Sequence, residues 1–313
     1  MSLRQYAITC GMFLGTFSWL WSQQDPYQTH YRLNRTHFNP AFTGDVHMPA
    51  LTLLYHNQWT FFKGPHDEKA PRTLFFTAEF PFRKAVKGVA INLIQDQQAF
   101  EKSIYANISA AYRRSFAFGD MTVGLTVGGI QKSINGTWVY ADPGDPKITG
   151  LGGQDFAVDA AIGFLFERKN WFASLSVLHL TNPTFRWGSA VYDYKPHLYL
   201  YGGYDYQFSP TILLKPRLLY KTDGSRGQLD IGLNADVGTR FWGGVNFRTG
   251  DALSLLGGMK VRTDLWVGYS YDITMTRLIQ GGGTHEVLVK YFFKIKVKAR
   301  EKTDHIIWTP RFL

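Results

Sequence analysis

Any chemistry done by this chain would start from its histidines, carboxylates and glycines. His285-Glu286 lacks a second histidine at helical spacing, so it is not a zinc-protease motif. It reads instead as a pair opening a strand and facing whatever that strand encloses. Asp142-Pro143-Gly144-Asp145 could offer carboxylates to calcium, but it is one turn and not a 12-residue calcium loop, so it reads as a surface turn. Gly124, Gly128 and Gly129 lie on an alternating stretch with no helix behind it, which removes the dinucleotide-binding reading. No serine stands in a Gly-x-Ser-x-Gly elbow. Asp159, Glu167, Asp230 and Asp236 each sit on the polar side of an alternating run. There a solvated or ion-paired carboxylate is the simpler reading than a catalytic one. The residues call for no catalyst, no cofactor and no metal, and the expectation is a protein that is not an enzyme.

The elements carrying these residues are strands. In residues 284–296, Val287, Val289, Tyr291, Phe293 and Ile295 form one row, and Glu286, Leu288, Lys290, Phe292, Lys294 and Lys296 form the other. Side chains alternate across a strand, so one face is apolar and the other mostly charged. The same pattern recurs at 49–60, 72–82, 86–97, 102–116, 121–132, 154–167, 171–180, 196–208, 211–220, 228–239, 241–248, 252–262 and 265–274. That makes about 14 strands, mostly long enough to cross a bilayer at a tilt. Links at 83–85, 118–120, 168–170, 209–210, 239–240 and 263–264 are short. Those at 62–71, 98–101, 133–153, 181–195, 221–227 and 275–283 are read as the longer set, with 249–251 an exception. The expected fold is all-β: a transmembrane antiparallel β-barrel with short periplasmic turns and longer extracellular loops. Trp59, Trp138, Trp171, Trp187, Trp242, Trp266 and Tyr220 are candidates for the aromatic girdle at the lipid headgroups.

Composition agrees. Aromatic residues reach 16% while charged residues are 19%, a balance suited to a barrel whose outer face meets lipid. The net charge of +10 raises the question of nucleic acid, but no nucleic-acid motif or basic helix is present. Basic turns and a basic tail, among anionic lipid and lipopolysaccharide, account for it. Arg4 followed by the apolar run 7–20 reads as an export signal, with cleavage after Ser22. The only cysteine, Cys10, falls inside that signal, so the mature chain would hold no disulfide. The expected organisation is a signal peptide at 1–22, a polar N-terminal segment at 23–48 that is periplasmic or plugs the lumen, an outer-membrane barrel at 49–296, and a basic tail at 297–313. The tail, with Lys294, Lys296, Lys298, Arg300 and Lys302, either extends the last strand or meets an acidic partner.

Several short motifs bracket the mature chain. Gln24-Asp25-Pro26, Tyr31, Asn39-Pro40-Ala41 and Gly44 precede the first strand. Tyr55 and Asn57-Gln58-Trp59 end it, and Gly282, Gly283, His285 and Glu286 open the last. In these residues the chain resembles the PorP/SprF family of outer-membrane proteins of Bacteroidetes. The resemblance implies a role in type IX secretion, which carries proteins with a C-terminal sorting domain to the cell surface and powers gliding motility in some members. It further implies that Asp25, Pro26, Tyr31, Asn39, Pro40, Ala41, Gly44, Asn57, Gln58, Trp59, His285 and Glu286 are signature or partner-contact residues. The implied partner is a secreted surface protein, an adhesin, whose C-terminal domain the barrel captures or anchors through loops such as 133–153 and 181–195. Three alternatives stay open: a scaffold that joins the outer membrane to a periplasmic secretion ring through a peptidoglycan-binding lipoprotein, a passive FadL-like channel for a small or hydrophobic solute, and a purely structural barrel.

Overall fold

The computed structural model describes residues 25–60, 70–82, 85–134, 152–187, 190–276 and 282–294. The export signal with Cys10, Gln23 and Gln24, most of the loops 62–71 and 133–153, Trp138, the Asp142–Asp145 turn and the tail beyond Lys294 lie outside these residues. The strands are β1 (Ala50–Asn57), β2 (Arg72–Pro81), β3 (Val86–Gln98), β4 (Glu101–Phe116), β5 (Gly119–Ile134) and β6 (Gly153–Arg168). They continue with β7 (Trp171–Leu178), β8 (Thr184–Trp187), β9 (Ala190–Asp193), β10 (His197–Tyr204), β11 (Tyr206–Ser209) and β12 (Ile212–Thr222). The set ends with β13 (Gly227–Val237), β14 (Phe241–Arg248), β15 (Ala252–Lys260), β16 (Leu265–Thr274) and β17 (Thr284–Phe292).

The strands of the wall pair antiparallel in chain order, with β7 pairing β10 across the separate β8–β9 hairpin, and β1 pairs with β17 from Ala50↔Phe292 to Asn57↔His285. β10 and β11 both pair with β12 and make up one interrupted stave, so the sheet closes as a 14-stranded antiparallel barrel. The interruption has a local cause. Pro216 stands in β12 opposite the join at Asp205 and has no N–H to give the ladder. The Arg217 guanidinium takes over there, donating to the Tyr204 carbonyl at 2.7 Å and to the Asp205 carboxylate.

The two faces of the wall are inverted relative to a soluble sheet. Outward rows are apolar: Ile108 is 64% exposed, Val127 61% and Phe156 61%. Inward rows bury Asn92, Asp159, Asp230, Arg248, Glu286 and Lys290. A closed sheet that exposes isoleucine and phenylalanine all round while burying arginine and glutamate is stable only with hydrocarbon outside. Among the described residues no helix is long and apolar enough to cross a membrane, which says nothing about strands.

Three expectations change. The link at 98–101 is a two-residue hairpin with Ala99 at φ 51°, so it joins 249–251 as a tight turn at the long-loop end. Trp187, Trp242 and Trp266 are not girdle residues. Trp187 and Trp242 are buried, and Trp242 packs at 5.9 Å, tilted, on Trp266, which in turn packs at 5.0 Å on the inward Phe292. Trp171, at the short-turn end, does face outward. The loop at 181–195 forms the β8–β9 hairpin and turns Phe185, Trp187 and Tyr194 into the lumen, where Tyr194 and Tyr105 share a hydroxyl hydrogen bond of 2.8 Å.

Candidate functional site: a filled lumen with a basic mouth

Residues 25–48 contain prolines, asparagines and histidines, a composition that cannot alternate as a strand. They form two short 3-10 turns, Arg35–His37 and Pro40–Phe42, and run down the inside of the barrel from the long-loop end to the short-turn end. Contacts with the inner wall hold the segment at three levels.

At the top, Asp25 is buried. Its Oδ1 lies 2.8 Å from His179 Nε2, and its Oδ2 accepts from the Tyr199 hydroxyl at 2.8 Å. The other nitrogen of His179 lies 2.7 Å from Asp159 Oδ2. Burial alone would lower the His179 pKa, but Asp25 and Asp159 outweigh it and hold the imidazole up at about 10. Burial would likewise raise Asp25, but the histidines beside it keep its carboxyl well below the usual range. His197 stands close by, its ring 5.5 Å from that of His179.

Next along the segment, Glu286 is fully buried and accepts from the backbone N–H groups of Thr29 and His30, each at 2.7 Å. It also accepts from Nδ1 of His30 at 2.6 Å and of His56 at 2.8 Å. A carboxylate that receives four N–H donors is held by charge-assisted bonds, the stronger kind. Beside it the Thr29 hydroxyl donates to Asp272 at 2.9 Å. Arg248 bridges Asp230, Asp251 and Asp272 and lies 3.1 Å from the centre of the Tyr27 ring. Tyr31, Phe38 and Phe42 pack against Tyr201 of β10.

Lower down, the Asn39 side chain caps the second turn by accepting from the Ala41 N–H at 2.9 Å, and it donates to the carbonyls of Phe164 and Leu175. Pro40 and Ala41 press on Gly124, and Asn39 presses on Gly163; a Cβ at either glycine would collide with the segment. Gly44, at φ 75°, lies against Gly88 so closely that a Cβ on Gly88 would stand 2.6 Å from the Gly44 Cα. Asp45 pairs with Arg35 at 2.5 Å and with Lys87 at 3.3 Å. Burial pushes the Asp45 carboxyl up, but these two cations outweigh it and hold it low.

Beneath the segment a cavity of about 1000 Å³ opens toward the short-turn end. Arg32, Arg35, Lys87, Arg113, Lys215, Arg217, Lys290 and Lys294 line it against the carboxylates of Asp45 and Asp205. It is a basic mouth with an aromatic shelf of Trp266, Phe292 and Phe293.

The residues singled out in the sequence separate into two groups. Asp25, Pro26, Tyr31, Asn39, Pro40, Ala41, Gly44 and Glu286 meet inside the lumen; Pro26 contributes its carbonyl, which His37 contacts at 3.2 Å. Asn57, Gln58, Trp59 and His285 sit at the long-loop rim, where β1 ends and β17 begins. The Gln58 N–H reaches the Pro71 carbonyl there, and Trp59 has φ 46°. His285 does not share the lumen with Glu286. As successive strand residues they face opposite sides, and His285 Nδ1 lies 2.6 Å from the Tyr269 hydroxyl on the outer side. Asp159, Glu167, Asp230 and Asp236 all pair inward with His179, Lys87, Arg248, and Arg32 with Lys215, respectively. Sequence reasoning missed His30, His56, His179 and Arg248. Strand parity places His56 and Arg248 inward, whereas His30 and His179 lie outside the strands and pair with residues 256 and 154 positions away, which no local pattern marks.

A family model described as "Type IX secretion system membrane protein PorP/SprF" matches residues 21–291. No curated protein matches the sequence. Among solved structures the chain is similar to the toluene transporter TbuX of Ralstonia pickettii, at 12% identity and a TM-score of 0.52, over 82% of this chain and 92% of that one. It is also similar to the monoaromatic hydrocarbon channel CymD, at 9% and 0.51, and to the toluene transporter TodX of P. putida, at 8% and 0.51, with the same coverage. At these identities the likeness concerns the barrel fold alone.

Proposed function

The chain belongs to the PorP/SprF family of type IX secretion system membrane proteins, and from that premise we propose that its barrel retains a secreted surface protein at the cell surface by holding that protein's C-terminal domain. The observation that carries this reading is the filled lumen. A barrel packed along its length by its own residues 25–48, and roofed by the β8–β9 hairpin, is built to hold something at its rim and not to pass a solute. The rim has material for holding. Val191 of the hairpin is exposed, and the β1–β17 junction presents Asn57, Gln58, Trp59 and His285. An extended segment of the cargo would add to such loops by backbone pairing and side-chain contact. Anchoring makes no demand for catalysis.

Affinity capture of the tagged barrel from native outer membranes tests the reading. The expected result is a large surface protein with a type IX C-terminal domain in the eluate, and loss of that protein from the cell surface when the barrel gene is deleted. An eluate free of any such protein, with its surface display unchanged in the deletion strain, contradicts the proposal. A periplasmic lipoprotein in its place would favour the scaffold alternative, for which the basic mouth offers the contact surface.

A further inference from the structure

The lumen segment begins in a cluster with more organisation than a salt bridge needs. We propose that Asp25, His179 and His197 bind a single divalent transition-metal ion of the zinc type. All three residues are buried, and their ligand atoms lie within 4.8 Å of one another. Each already has the outer partner that fixes a metal ligand. His179 Nδ1 lies 2.7 Å from Asp159 Oδ2, and His197 Nδ1 lies 2.9 Å from the Lys195 carbonyl oxygen. The Asp25 Oδ2 accepts from the Tyr199 hydroxyl at 2.8 Å. An imidazole whose Nδ1–H is given to an oxygen presents Nε2 as its ligand, the usual arrangement around protein-bound zinc.

The donor set decides the class of ion. Two imidazoles and one carboxylate suit zinc and its first-row neighbours, with a fourth position left for water. Calcium and magnesium demand oxygen ligands and fit poorly. Charge balances as well. Without an ion, His179 Nε2–H donates to Asp25 Oδ1 across 2.8 Å. With the ion bound that proton leaves, and the carboxylates of Asp25 and Asp159 offset the two positive charges. Access comes from the long-loop end, where Asp25 and His197 line a cavity of about 230 Å³. Lys221 and Arg226 line it against Asp223 and Asp25, a mixed charge that leaves coordination as the source of affinity. A bound ion would tie the start of the lumen segment to the wall at β7 and β10. The assignment rests on this geometry and is independent of the cargo reading.

The test uses the refolded barrel without a polyhistidine tag, stripped with chelator and titrated in detergent with zinc chloride by calorimetry. A parallel titration with cobalt(II) follows its visible absorption. The expected result is saturable binding of about one ion per chain, with a tetrahedral cobalt spectrum. His197→Ala should weaken binding at least tenfold, and Asp159→Asn about 10–100-fold, in barrels that keep heat-modifiable migration. Should His197→Ala fail to fold, Tyr199→Phe removes only one hydroxyl and should weaken binding in the same direction. No saturable binding of either ion, or binding that these variants leave unchanged, overturns the assignment.

Discussion

Glu286 concentrates the polar attachment of the lumen segment in one side chain. It takes two backbone N–H groups and two imidazoles, all away from water. Replacing it by glutamine removes the charge and turns one acceptor oxygen into a donor facing other donors. Breaking one side of such a buried network costs about 3–5 kcal/mol. The variant Glu286→Gln should therefore loosen the segment while the barrel stays closed. Trypsin would then cut at Arg32 or Arg35, which the parent protects, and heat-modifiable migration of the barrel band would persist. Equal protection in both proteins would show that the carboxylate does not hold the segment. Parts of this site were legible in the sequence. The alternation of 284–296 places Glu286 on the charged row, and the same parity sends His285 the other way, against reading the two as one pair. The partners were not legible. His30 and His56 lie 256 and 230 residues from Glu286, and no local pattern links them. His179 falls just past the end of β7, where strand parity gives no guide.

The strands were legible as elements because the bilayer imposes two constraints at once. Every second residue must be apolar, and each run must be long enough to cross. That is why β14 and β16 match their sequence-based bounds and most others differ by a residue or two. What failed was what period-2 alternation cannot encode. The β10–β11 break depends on Pro216 in the next strand, and the β8–β9 hairpin folds inward because its aromatics find an apolar layer of Leu54, Phe75, Ile94 and Leu288 beneath them. Two predictions belong to this scale. Ile108 lies on the outer face of β4, so Ile108→Arg should destabilise the inserted barrel by roughly 2–4 kcal/mol if its depth is near the midplane. Urea titration of vesicle-inserted protein measures this, and an unchanged midpoint would deny that the face meets lipid. Gly163→Leu places a side chain where Asn39 now lies, so it should eject the lower part of the segment and expose Arg35 to trypsin while the strands stay paired. Continued protection of Arg35 in that variant would mean that the wall and the segment are not in contact there.

At the scale of the whole molecule, the barrel resolves a conflict between its two faces. The outside must be apolar to sit in hydrocarbon, and the inside carries charge that must be satisfied without water. The N-terminal segment supplies many of the partners: Asp25 for His179, the Thr29 and His30 amides for Glu286, Arg32 for Asp236, and the Leu33 carbonyl for Lys290. The segment fills much of the lumen, with a basic mouth of about 1000 Å³ below it and a smaller cavity above. Closure is the claim on which the retention reading stands, since an open pore of this size would instead be a channel. Single-channel recording in planar bilayers tests it most directly. The intact chain should insert without stable conductance, while the same barrel lacking residues 25–46 should conduct; steady ohmic current through the intact chain would contradict the account.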